Sequence, residues 1–68
     1  MTVRVKLNGE PRELPDGATV AEAVAELTPA AAGVAAAVNG DVMPRGSWTV
    51  TLLQDGDQVE VVTAVQGG

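Results

Sequence analysis

From Thr2 to Leu7, apolar and polar positions alternate one for one. Val3, Val5 and Leu7 share one side, and Thr2, Arg4 and Lys6 the other. That period of two predicts a half-buried strand. Asn8-Gly9 follows, a dipeptide suited to a two-residue hairpin turn, where both central residues need positive φ. The chain returns as a second strand over Glu10 to Leu14, and Pro11, lacking an N–H, suits a sheet edge. Pro15-Asp16-Gly17 reads as a turn. Beyond it the period lengthens: Val20, Val24 and Leu27 stand at i, i+4 and i+7, the stripe of one helix face. Thr19 with Glu22 three residues on forms a capping box at its start, Glu22 and Glu26 face water, and Pro29 predicts an end near Leu27-Thr28.

Ala30 to Gly33, held between Pro29 and Gly33, reads as a connector. Val34 to Val38 is a short apolar run, expected to be a central strand buried on both faces. Asn39-Gly40 is a second tight turn, after which Val42-Met43 pairs back until Pro44 stops it. Pro44 to Trp48 is expected to form a 3₁₀ or irregular turn that lays Trp48 across the open end of the core, with an acceptor for its indole N–H. Val50 to Leu53 is short and apolar, Asp55-Gly56-Asp57 is a turn, and Gln58 to Val65 is the last strand, with Val59, Val61, Thr63 and Val65 on one face. The order β-β-α-β-β-β predicts an α+β chain of the β-grasp type: a mixed sheet of four to five strands with one main helix packed on one face. One domain is expected over 1–65, followed by a flexible Gly-Gly tail over 66–68.

Composition narrows the chemistry. Sixty-eight residues make one small domain, 46% hydrophobic and nearly all Val, Ala and Leu. There is no Cys, no His and a single Ser, Ser47. Disulfides, thiolate metal sites and nucleophilic catalysis are therefore excluded or unsupported. Nine acidic residues against four basic ones, net charge −5, argue against nucleic acid and anionic membranes as partners. The same charge fits a partner with a basic docking face, or simply solubility. No leader or run of about 20 apolar residues is evident, so the expected compartment is the cytoplasm. Asp55 and Asp57 flank a glycine in a turn, the ordinary place for solvated acids, and Asp41, Asp55 and Asp57 have no metal-binding spacing. No catalytic residue and no metal site are expected.

The reactive group left over is the α-carboxylate of Gly68, reached through Gln66 and Gly67 and read as a free C-terminus. A lone Gly-Gly also fits an ordinary frayed end. Without Cβ atoms, however, the pair can pass a narrow channel and leave the acyl carbon uncrowded. The carboxylate is a poor electrophile until converted to a mixed anhydride, and ATP is the usual means. Displacement of AMP by sulfur would leave a thiocarboxylate.

The ordered set Ala37-Val38-Asn39, Pro44-Arg45 with Trp48, Gln54-Asp55-Gly56-Asp57-Gln58-Val59 and Gly67-Gly68, together with Asn8-Gly9 and Thr19-Val20, resembles the ThiS family, the sulfur carriers of thiamine biosynthesis. The resemblance covers essentially the whole chain. It implies a β-grasp fold like that of ubiquitin and of the small molybdopterin-synthase subunit MoaD. It implies adenylation of Gly68 by an E1-like, ThiF-like adenylyltransferase using ATP and Mg²⁺, with no cofactor bound by the carrier itself. It further implies sulfur from a donor such as a cysteine desulfurase and delivery to a ThiG-like thiazole synthase. The family docks through apolar sheet flanking the tail. Leu53, Val61 and Thr63 are the candidates for that surface, and each also fits a core. Arg45 would either help dock a partner or offset a local acidic turn. Other readings are a carrier serving another sulfur pathway, a protein modifier, or an interaction domain with incidental glycines.

Overall fold

Both Asn-Gly pairs turn the chain as expected. Asn8 and Asn39 each have φ 52°, and Gly9 and Gly40 have φ 85° and 87°, the doubly positive pair of a type I′ hairpin. The computed structural model describes residues 1–28 and 33–63. Asn8-Gly9 joins β1 (Thr2–Leu7) to β2 (Glu10–Pro15), and Asn39-Gly40 joins β3 (Val34–Val38) to β4 (Asp41–Met43). With β5 (Gln58–Thr63) they form one mixed sheet in the order β2-β1-β5-β3-β4. β5 runs parallel to β1 and antiparallel to β3. The helix α1 (Val20–Leu27) covers one face, and a 3₁₀ turn spans Arg45–Ser47. This is the α+β, β-grasp arrangement.

The alternation in β1 sends Val3, Val5 and Leu7 inward, where they meet Val20, Ala23 and Val24 of α1 and Val59 at the centre of the sheet. Leu14, Ala36, Val38, Trp48 and Leu53 complete the core. Among the described residues no polar or charged one is buried. Stability therefore rests on apolar area removed from water, and the small volume of Val and Ala makes close packing essential. Ala23 lay outside the stripe read from the sequence. It is fully buried because a side chain with one methyl lets α1 approach the sheet closely.

The capping box forms as expected. Glu22 N–H donates to Thr19 Oγ1 at 3.3 Å and Thr19 N–H donates to Glu22 Oε1 at 3.2 Å. Val20 N–H donates to Thr51 O, Ala21 N–H to Trp48 O and Ala23 N–H to Thr19 O. The four N–H groups a helix start leaves over are thus all used, and the segment 48–51 is tied to α1. Replacing Thr19 by Ala is expected to cost about 0.5–2 kcal/mol, read as a lowered urea midpoint with an unchanged fold.

One expectation needs correction. β3 is not central and is buried on one face only. Val34, Ala36 and Val38 point toward α1, while Ala35 and Ala37 lie on a face that no element among the described residues covers. An apolar run reads alike whether one face or two is covered, and here a single helix covers one. The central strand is β5. The expected last strand reached Val65, but Ala64 and Val65 lie outside the described residues, as do Ala30 to Ala32 of the connector and the 65/66 boundary.

Candidate functional site

β5 is the strand from which the C-terminal residues continue. Its two edges are held differently. β3 pairs with it as far as Val34 opposite Thr63. The β1 ladder stops earlier, at Leu7 opposite Val59. There Asn8 takes over: its backbone N–H donates to Val59 O at 2.9 Å. Its side-chain Nδ2 donates to Val61 O at 3.1 Å, and its Oδ1 accepts from Val61 N–H at 2.7 Å. At the opposite end of β5, Asn39 does the same for Gln58: its N–H donates to Gln58 O at 2.8 Å, and its Oδ1 accepts from Gln58 N–H at 3.0 Å.

The acidic turn is structural. Asp55 Oδ1 accepts from Arg4 N–H at 2.8 Å, and Gly56 N–H donates to Arg4 O at 2.8 Å. Asp57 Oδ2 accepts from Gln54 N–H at 2.8 Å, and its Oδ1 accepts from Asn39 Nδ2 at 3.0 Å. The two carboxylates bind the turn before β5 to β1 and to the Asn39-Gly40 hairpin. Among the described residues no group of three or more His, Cys, Asp or Glu could hold a metal ion, and no helix is long and apolar enough to cross a membrane.

The face of the sheet away from α1 is divided in character. Over β1 and β2 it is charged, with Arg4 Nε 3.1 Å from Glu13 Oε2. A hollow of about 320 Å³ there is lined by Arg4, Pro11, Arg12 and Glu13. Both of its arginines are already ion-paired, Arg12 with Glu26 at 3.5 Å, so it offers no free charge to a ligand. Over β5, β3 and β4 the face is apolar. Val42 is 75% exposed and Val62 60% exposed. With Ala35, Ala37 and Glu60 they line a shallow hollow of about 120 Å³. Val62 stands beside Ala35 in register, and Val42 beside Ala37. This apolar patch adjoins the end of β5.

Two of the sequence candidates lie in or against the core. Leu53 is 4% exposed and belongs to the core, its N–H donating to Ala18 O at 2.9 Å, which fits the core reading. Val61 faces α1 and packs against the core, which removes it from the open face as well. The Thr63 side chain, Gln66, Gly67 and Gly68 lie outside the described residues. Arg45 is exposed and sets its guanidinium 5.7 Å from the centroid of the Trp48 ring, a cation–π contact, and forms no ion pair with an acidic turn among the described residues. Trp48 is buried, and its Nε1–H donates to Met43 O at 2.9 Å, the acceptor its indole required. Sequence reading missed Val42 and Val62. The signal was present: with Val59 and Val61 inward, the period of two turns Gln58, Glu60 and Val62 outward, and an outward Val is the anomaly.

The ThiS family model matches residues 5–68. The chain is 42% identical over 64 residues to a sulfur carrier protein ThiS from Thermus thermophilus, covering 94% of this chain and 98% of that one. It is 32% identical over 66 residues to the sulfur carrier protein ThiS of Escherichia coli K12, covering 97% and 100%. A thiazole synthase from Magnetococcus marinus is 36% identical over 66 residues, which span 97% of this chain but only 20% of that protein. Among solved structures, the thiamine biosynthesis protein ThiS from Geobacter metallireducens superposes with a TM-score of 0.78 at 30% identity, over 97% of this chain and all of the other. With its fold matched by a solved relative and its sequence matched through the terminal glycines, the chain belongs to the ThiS family.

Proposed function

We propose that this protein carries sulfur for thiamine biosynthesis on the carboxyl group of Gly68, as a co-substrate of other enzymes and not as a catalyst. The observation that carries the reading is the match to the ThiS family, which runs through Gly67-Gly68, together with carriers matched over nearly their full length. One carboxylate oxygen of Gly68 attacks the α-phosphorus of ATP on an E1-like, ThiF-like enzyme; pyrophosphate leaves, and Mg²⁺ accompanies the nucleotide on that partner. The terminal sulfur of a persulfide, supplied by a donor such as a cysteine desulfurase, then attacks the acyl carbon and AMP leaves; a thiol cleaves the resulting acyl disulfide, taking the donor sulfur into a disulfide and releasing the thiocarboxylate. The thiocarboxylate donates sulfur to a ThiG-like thiazole synthase. The similarity of the chain to one fifth of a thiazole synthase supports that last partner.

The reading is tested by incubating the chain with its activating enzyme, ATP and a sulfur source. The intact mass should rise by one sulfur-for-oxygen exchange, localised to Gly68 by fragmentation. An unchanged mass rejects it.

The apolar patch around Val42 and Val62 is the docking surface of this reading, because it lies on the strand that leads into the tail. Val62→Lys should raise the KM of the activating enzyme for the carrier by about tenfold, the loss of one well-packed interface side chain. Because Val62 is largely exposed, the unfolding free energy should stay within about 0.5 kcal/mol of wild type. Steady-state kinetics beside urea unfolding separates the two effects.

A further inference from the structure

Two asparagines in matching turns hold opposite ends of β5. The Asn39 carboxamide accepts from Gln58 N–H, where the strand begins, and donates to Asp57 Oδ1, whereas the Asn8 carboxamide makes both of its bonds to Val61, two residues before the last described residue of the strand. The difference follows from strand direction. β3 is antiparallel to β5, so the turn after it meets the start of β5; β1 is parallel to β5, so the turn after it meets the end. Beyond Leu7 no backbone of β1 is left to pair. The Asn8 carboxamide, with one donor and one acceptor, occupies the place of a peptide group in the ladder and forms both hydrogen bonds to Val61. From Val61 to Thr63, the only strand among the described residues that holds β5 is β3.

We infer that Asn8 is a positioning residue for the C-terminal acyl group: its side chain holds the β1-side edge of β5 at Val61, close to the end of the strand that leads toward Gly68. The inference rests on the sulfur-carrier reading above. Five residues separate Thr63 from Gly68, a reach of at most about 18 Å at ~3.3–3.6 Å per residue. If β5 frays by one residue at Val61, the acyl group gains slack of that size relative to the docked sheet, and misplacement at a reacting centre lowers turnover. Asn8 thus serves two separable purposes. Its backbone adopts the positive φ of the turn, which Gly also adopts freely, and its side chain clamps β5.

Asn8→Gly keeps the turn and removes only the clamp. Asn39→Gly is the control at the other end of the strand, where it removes a side-chain bond to Gln58 N–H and one to Asp57 Oδ1. Full-length variants are assayed with the activating enzyme, ATP and a sulfur source, below the unfolding midpoint of each. Asn8→Gly should lower kcat/KM for thiocarboxylate formation by about two- to tenfold, the factor that one to two lost hydrogen bonds represents. The Val61 to Thr63 amides should exchange hydrogen faster. Asn39→Gly should leave kcat/KM near wild type and speed exchange around Gln58 instead. Equal kcat/KM in the two variants, or unchanged exchange at Val61 to Thr63 in Asn8→Gly, overturns the positioning role alone. A wild-type chain that takes up no sulfur overturns it together with the carrier reading.

Discussion

A chain ending at Gly67 is expected to take up sulfur at least about 10²-fold more slowly than the full chain. Deleting Gly68 withdraws the reacting carbonyl by one residue, about 3.3–3.6 Å. Misplacement by about 1 Å at a reacting centre already costs about 10²-fold. The shortened chain still ends in a glycine carboxylate, so its chemical competence is intact and only its reach is altered. All core residues are untouched, so urea unfolding should match wild type within about 0.5 kcal/mol. Time-resolved intact mass is the readout. Loading at the wild-type rate would mean that the acyl group is not placed by chain length.

Leu53→Ala is expected to act by a different route and nearly as strongly. Leu53 is 4% exposed and packs with Ala18, Val20 and the rest of the core cluster. Truncating a buried Leu costs about 2–5 kcal/mol in lost transfer energy and residual cavity. A domain of this size has about 3–10 kcal/mol in all, at ~0.05–0.15 kcal/mol per residue. The variant should therefore lose a large part of its urea-unfolding free energy. Where it remains folded, its KM for the activating enzyme should stay near wild type. Were Leu53 a docking residue instead, stability would hold and KM would rise, the pattern expected of Val62→Lys. Comparing the two variants assigns Leu53 and Val62 to core or interface by measurement.

Much of the architecture was legible because it depends on neighbours along the chain. The Asn-Gly pairs need positive φ, and both adopt it. The Thr19 and Glu22 side chains reach each other across one helical turn. The alternation of Val3, Val5 and Leu7 required one covered face, and the spacing of Val20, Val24 and Leu27 supplied the helix to cover it. The site was legible in part. The terminal glycines stood out by their chemistry, and the family resemblance supplied the partners. Leu53 and Val61 fitted both a docking face and a core, because an apolar side chain looks the same in either, and the structure places them in and against the core.

What the sequence determined by itself was a set of local periods, turn conformations and caps, together with a motif set that resembles the ThiS family. Only the tertiary structure decided that β5 is central, that Val42 and Val62 share an uncovered face, and that Asn8 reaches Val61 across a separation of 53 residues. The first set follows from backbone sterics and the period of side chains within one segment. The second follows from which segments pair and in which direction, and a parallel β1–β5 ladder cannot be read from either strand alone.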